Sequence, residues 1–284
     1  MTTLANAISF WAMEMSPHTR FLTTAGGRIA YDSAGAGPLV VCLPGMGDTR
    51  ATWRHLRPPL VDSGHRVVTM DLRGEGETSA VWDDYSPEAI GADLLALLAH
   101  LNAGPATLVT NSYTGATAVW AAATAPTAFS ALVLCDPFAR VMPPPNALMK
   151  LAMAAVGRFR PLWTLYWTSL YKTRKPGDFA AARAALSRNL AEPGRMAALR
   201  AMFAADVSVC EARFPDVRTP ALVVMGEKDP DFPSPADEAA LIAGRLSGSI
   251  AMIDGAGHYP QTEYPAETFA AIQAFLGAQC REQA

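Results

Sequence analysis

Three residue types that together can activate a hydroxyl group occur in the order Ser, Asp, His, each directly after an apolar run. Ser112 sits in Thr110-Asn111-Ser112-Tyr113-Thr114-Gly115, after ATLVT and before an alanine-rich stretch. A strand that turns sharply into a helix presents its turn residue outward, which is the context a nucleophile elbow needs. The positions two before and two after the serine must be small because strand and helix converge there; they hold Thr110 and Thr114, where glycine is usual. Asp229 follows PALVVMG, and His258 closes Gly255-Ala256-Gly257-His258 after SIAMID, 258 − 229 = 29 residues later. A serine hydroxyl is a poor nucleophile near neutral pH, so it needs a base, and histidine has the right unperturbed pKa. A carboxylate then orients the imidazole and stabilises its charged form. Asp136, after ALVLC, also ends a strand and stands as the alternative acid. Leu43-Pro44-Gly45-Met46-Gly47 is a glycine-rich loop whose N–H groups can face a developing oxyanion.

These residues need a scaffold that gathers strand ends. RFLTTA and RIAYDSA read as two strands joined at Gly26-Gly27. PLVVCLP is a continuous apolar run of the buried parallel type, followed by a helix-like segment with Trp53, Leu56 and Leu60. The alternation continues through HRVVTMDL, PEAIGADLLALLAHL, ATLVT, GATAVWAAAT and ALVLCD, and resumes with PALVVMG, PADEAALIAGRL, SIAMID and a final helix from about Pro265 to Leu276. Strand, helix, strand in this order predicts an α/β fold with a mostly parallel sheet and right-handed crossovers. Functional groups then collect past the carboxyl ends of the strands.

Between Pro137 and Pro215 the strand signal disappears. Pro143 to Pro145 open a helical region that Pro161, Pro176 and Pro193 divide into about four helices. The expected organisation is therefore a core over 20–136 and 216–278, a helical cap over 137–215, and an N-terminal extension over 1–19. Trp163, Tyr166, Trp167 and Leu170 follow i, i+3, i+4, i+7 spacing and share one helix face. Such a stripe is most often core. Trp163 and Trp167, with Phe138, are the tentative pocket residues.

Composition removes several classes of function. The chain has 284 residues, half of them hydrophobic and 17% charged, which excludes a disordered protein. A formal net charge of −3 offers no overall basic field for nucleic acid or anionic lipid. Cys42, Cys135, Cys210 and Cys280 show no metal spacing and fit a reduced cytoplasm. The first residues lack a cationic lead-in and are interrupted by Glu14, so no signal peptide is expected. No metal or cofactor is expected, and the partner is a small-molecule substrate rather than a membrane.

Taken together, the elbow, the loop PGMGDTRATW, the segment DLRGEGETS (71–79) and the closing GAGHYPQTEYPAETFAAIQAFL resemble an α/β-hydrolase-fold serine hydrolase from about Arg20 to Gly277. The departures are Pro44 for the usual histidine of a His-Gly pair, Asn111 for the histidine before the nucleophile, and the two elbow threonines. The resemblance implies Ser112 as nucleophile, His258 as base, Asp229 as acid, and the backbone N–H groups of Met46 and Tyr113 as the oxyanion hole. Asp71 and Arg73 are expected to fix their loop by hydrogen bonds. The implied reaction is hydrolysis of a small, largely apolar ester or lactone through an acyl-enzyme. Hydrolysis of C–C bonds, which Asn111 resembles, and cofactor-free perhydrolysis use the same triad, and a ligand-binding protein on this scaffold is the non-enzymatic alternative. Epoxide hydrolases and haloalkane dehalogenases of the fold need aspartate at the nucleophile position, so Ser112 disfavours both.

Overall fold

The segments LVVCL, RVVTM, ATLVTN, FSALVLC and ALVVMG are apolar on both faces, so each must lie between two covering layers. In the computed structural model, which describes residues 19–144 and 146–282, they form the centre of an eight-stranded sheet. The strands are β1 (Arg20–Thr24), β2 (Gly27–Ala34), β3 (Leu39–Leu43), β4 (Arg66–Met70), β5 (Ala106–Asn111), β6 (Phe129–Cys135), β7 (Ala221–Gly226) and β8 (Ser249–Ile253), in the order β1-β2-β4-β3-β5-β6-β7-β8. β1 and β2 form the expected hairpin, β2 pairs antiparallel with β4, and every later pairing is parallel. The expected 1–19 extension lies, apart from Thr19, outside the described residues.

Alternate residues of β3 serve different layers. Leu39, Val41 and Leu43 join an apolar cluster with Leu94, Leu97, Val119 and Ile242, whereas Val40 and Cys42 join Trp53, Leu56, Ile272 and Phe275. The first layer is built from α2 (Pro87–Leu101), α3 (Thr114–Thr124) and α9 (Pro235–Leu246); the second includes α1 (Arg57–Asp62) and α11 (Pro265–Glu282). α2 starts where Ser86 accepts from the Ala89 N–H at 3.2 Å with Pro87 at the first turn, and it stops at Asn102 in the left-handed region.

The segment carrying Trp53, Leu56 and Leu60 is not one helix. It splits into a 3-10 turn at Arg50–Trp53 and α1, because Pro58 and Pro59 lack N–H donors and fit only in a first turn. The final helix runs on to Glu282, beyond the expected Leu276, and a one-turn helix, α10 (Pro260–Glu263), precedes it.

Between β6 and β7 lie α4 (Ala147–Arg158), α5 (Arg160–Ser169), α6 (Phe179–Asn189), α7 (Arg195–Ala204), the one-turn α8 (Ser208–Glu211) and a 3-10 turn at Phe214–Asp216. A third apolar cluster, including Trp163, Trp167, Leu170, Leu186, Leu199 and Tyr259, joins them to the sheet's edge. Among the described residues, no helix is long and apolar enough to cross a membrane.

The strand order opens the sheet at one point. β3 and β5 are parallel neighbours, but the chain leaves β3 toward β4 and leaves β5 toward β6. The loops at their carboxyl ends therefore diverge and open a crevice, where α/β sheets place ligands.

Candidate active site

Ser112 occupies the turn between β5 and α3 with φ 59°, a left-handed conformation that costs a non-glycine residue about 1–3 kcal/mol. Its neighbours hold it there. The Ser112 N–H donates to Cys135 O at 2.9 Å, and its carbonyl accepts from the N–H groups of Gly115 and Phe138, both at 2.9 Å. A Cβ on Gly115 would stand 2.7 Å from Pro137 Cβ, so this glycine lets α3 close onto the end of β6. Ser112 Oγ has no hydrogen-bond partner among the described residues. Thr114, at the position where glycine is usual, has a use: its hydroxyl bonds to Asn111 O at 2.9 Å and Pro44 O at 3.0 Å, clasping the loop after β3 to the elbow. Thr110 is fully buried, and its hydroxyl finds no partner. Nothing in the structure explains that threonine.

The other two members of the expected triad meet at the ends of β7 and β8. His258 Nδ1 lies 2.6 Å from Asp229 Oδ2, a charge-assisted distance, and both side chains are buried. Asp229 Oδ1 is fixed by the Asp231 N–H at 2.9 Å. No hydrogen bond joins His258 to Ser112 in this conformation. The two are tied through Asn111, whose amide donates to both Cys135 O and His258 O at 3.2 Å. Catalytic hydrogen bonds often tighten only once substrate is bound.

Asp136 also reaches this cluster. It ends β6 with φ 46°, is fully buried, and its carboxyl lies within 4.8 Å of both Asp229 and His258. Its Oδ1 accepts from the Gly226 N–H at 2.8 Å, whereas Oδ2 is unpaired. Burial, and then the neighbouring Asp229 carboxylate, push its pKa well above the usual range. Of the two sequence candidates, Asp229 is the one hydrogen-bonded to the imidazole. A third carboxyl, Asp231, has Oδ2 3.9 Å from His258 Nδ1 and accepts from Tyr166 OH at 2.6 Å. Burial alone would lower the His258 pKa, but Asp229, then Asp231 and Asp136, outweigh it and raise it. Asp231 is not among the sequence candidates, although its place two residues after Asp229 at a strand end is a usable signal.

On the opposite side of Ser112, the loop after β3 approaches very closely. A Cβ on Gly45 would lie 2.9 Å from Ser112 Cβ, so only glycine allows this contact. The N–H groups of Met46 and Tyr113 have no acceptor among the described residues. Two unpaired donors flanking the turn of an elbow are what an oxyanion site requires. The next peptide is clamped from both sides: Gly47 N–H donates to Glu75 Oε1, and Gly47 O accepts from Trp163 Nε1 at 2.9 Å. Glu75 is buried, its second oxygen is unpaired, and burial pushes its pKa well up. It lies inside DLRGEGETS, a segment whose spacing is visible in the sequence but whose buried carboxyl is not. Asp71 and Arg73 fix that segment as expected. Asp71 accepts from the Arg50 N–H at 2.7 Å and the Glu77 N–H at 2.9 Å, and Arg73 forks onto Asp93 at 2.7 and 2.8 Å.

The sequence model of the alpha/beta hydrolase family matches residues 40–272. The chain belongs to that family. It is 36% identical over 104 residues to an epoxide hydrolase from Caballeronia sordidicola, a match covering 36% of this chain and 31% of that protein. The chain thus spans less than a third of that relative. It is 26% identical to epoxide hydrolase A from Mycobacterium tuberculosis across 92% of this chain and 98% of that protein. A thermophilic esterase from Thermogutta terrifontis superposes with a TM-score of 0.76 at 25% identity, covering 92% of this chain and 99% of that one.

The three candidate pocket residues fall in different places. Phe138 packs edge-on against the His258 ring at 5.9 Å and stacks on Phe232 at 4.7 Å. Trp163 is buried against Gly47 and Phe203. Trp167 donates its indole N–H to Asp48 Oδ2 at 3.1 Å and stacks on Phe179 at 5.2 Å. It lines a cavity of about 810 Å³, with Arg50, Arg54, Arg57 and Asp178, that neither Ser112 nor His258 borders. The α5 stripe therefore packs as core against the sheet's loops, with its polar tips used as ties.

Proposed function

We propose that this hydrolase is a serine carboxylic-ester hydrolase that cleaves a small, largely apolar ester or lactone through an acyl-enzyme on Ser112. The observation that carries this reading is the convergence at one crevice of a strained serine, two unpaired backbone N–H groups and a buried Asp229–His258 pair. In the first half-reaction, neutral His258 takes the Ser112 proton as Oγ adds to the acyl carbon. The carbonyl oxygen becomes an oxyanion held by the N–H groups of Met46 and Tyr113. Collapse expels the alcohol, which receives the proton from His258, and the same groups then deliver water to the acyl-enzyme. Asp229 stabilises the imidazolium in both halves.

The named relatives include epoxide hydrolases, but the chemistry of Ser112 points away from that reaction. A serine alkoxide that opened an epoxide would form an ether, which water does not cleave, whereas a carboxylate would form an ester, which it does. The C–C bond alternative rests on Asn111. Both donors of that amide are committed to backbone carbonyls, so it has no N–H left for a substrate.

The test uses a fluorophosphonate probe and short-chain chromogenic esters and lactones. Ser112 is expected to be the labelled residue, and Ser112→Ala should lower kcat by about 10³-fold or more. Epoxide hydrolysis that survives Ser112→Ala would overturn the proposal.

A further inference from the structure

The whole-chain charge of −3 conceals one segment of opposite character. From Pro137 to Gly177 there is no aspartate or glutamate, yet there are four arginines and three of the chain's four lysines. Within it, α4 is covered among the described residues at its C-terminal end, where Gly157 lies over Phe203 and Arg200 of α7. Its first two turns stand clear. Leu148 is 77% exposed and Leu151 69%, Met149 and Met153 are exposed on the same helix, and Phe159, Leu162 and Leu165 are exposed in the stretch of chain that follows it. Large apolar side chains exposed in such number within one short stretch mark an interaction site.

The shape of the patch selects its occupant. At 100° per residue, the four apolar side chains of α4 spread over roughly 200° of the helix circumference. A rigid protein face laid along a helix covers a narrower stripe, whereas a fluid apolar phase reaches around it. The charges agree. Lys150 is exposed and without an ion pair among the described residues, and Arg158 is exposed with its guanidinium over the Phe159 ring at 5.7 Å. At 100° per residue Lys150 and Arg158 fall in the arc of α4 that the four apolar side chains leave, and cations flanking an inserting apolar face suit anionic headgroups above acyl chains. We propose that α4 and the start of α5 dock on an anionic lipid–water interface, with the leucines, methionines and Phe159 entering the acyl boundary and Lys150 and Arg158 meeting headgroup phosphates. This inference does not depend on which bond Ser112 cleaves, and it departs from the expectation that the net charge alone suggests.

The experiment is co-sedimentation of the full chain with vesicles of phosphatidylcholine, with and without phosphatidylglycerol. The expected result is binding to the phosphatidylglycerol vesicles that weakens with added salt, and a loss on the order of tenfold in the double variant Leu148→Glu, Leu151→Glu. Both positions are exposed, so the variant should keep its helical circular dichroism and its turnover of a water-soluble ester. If that turnover or dichroism is lost, Lys150→Glu with Arg158→Glu replaces it and must weaken binding to the anionic vesicles. Absence of binding to either vesicle, equal binding by the variants, or binding indifferent to phosphatidylglycerol would overturn the proposal. So would a dimer, seen by analytical ultracentrifugation without lipid, that the leucine substitutions abolish, because a second copy would then cover the face.

Discussion

Ser112 stands between two walls that both contain buried carboxyl groups, and the walls use them for different purposes. On the side of β7 and β8, Asp229, Asp231 and Asp136 surround one imidazole, and their effect is electrostatic: together they favour the charged form of His258. On the side of β3, Glu75 and Asp48 accept from the backbone N–H groups of Gly47 and Thr49, and their effect is geometric. Asp229 and Asp136 accept peptide N–H groups as well, from Asp231 and Gly226, so the walls differ in having an imidazole beside the carboxyls on one side only. On the proposed chemistry, the same chemical group supports a proton transfer on one wall and the placement of a neutral donor on the other.

The largest effects are expected at the acids themselves. Asp229→Asn should lower kcat by about 10³–10⁴-fold with little change in KM, because an amide favours the wrong imidazole tautomer. Asp136→Asn should cost less than about threefold, since the amide oxygen keeps the acceptor for Gly226 N–H and Asp136 makes no hydrogen bond to the imidazole. Side-by-side kinetics on one ester check both, and a larger loss at Asp136 would exchange the two roles.

On the other wall, Glu75→Leu releases Gly47 N–H and should lower kcat by about 10–100-fold, somewhat less than outright removal of an oxyanion donor. Glu75→Gln keeps the carbonyl acceptor and should recover most of the rate. Equal losses in the two variants would show that the carboxyl acts through charge, as on the first wall.

The smallest effect concerns pH. His258 must be neutral to act as base, and its neighbouring carboxylates raise its pKa, so the acid limb of kcat/KM should lie above histidine's ordinary value of about 6.5. Asp231→Asn removes one of those carboxylates, making the imidazolium less stable, and the limb should move to lower pH by a fraction of a unit. A limb that stays in place in the variant would remove Asp231 from the electrostatics of the site.

Much of the β7–β8 wall was legible in the sequence, because strands buried on both faces are uninterrupted apolar runs and the reactive side chains come at their carboxyl ends. Ser112, Asp229 and His258 each stand just past such a run. The uses of Glu75, Asp231 and Thr114 were not legible, since they depend on which loops the sheet order brings together, and no spacing along the chain reports that β3 lies beside β5. Trp163 and Trp167 illustrate the same limit from the helical side: their i, i+4 spacing predicts a shared face, but only packing shows their indoles tied to Gly47 and Asp48.

The Trp163 tie couples the seating of α5 to the shape of the loop after β3. Its indole N–H is donated to the residue directly after Met46, so any displacement of α5 away from the sheet strips a restraint from the loop that carries the proposed oxyanion donor. Glu75 on Gly47 N–H and the Thr114 hydroxyl on Pro44 O would remain as its holds. On the proposed ester chemistry, a shift of α5 that let a product leave would therefore also loosen that loop, and reseating the helix would restore it.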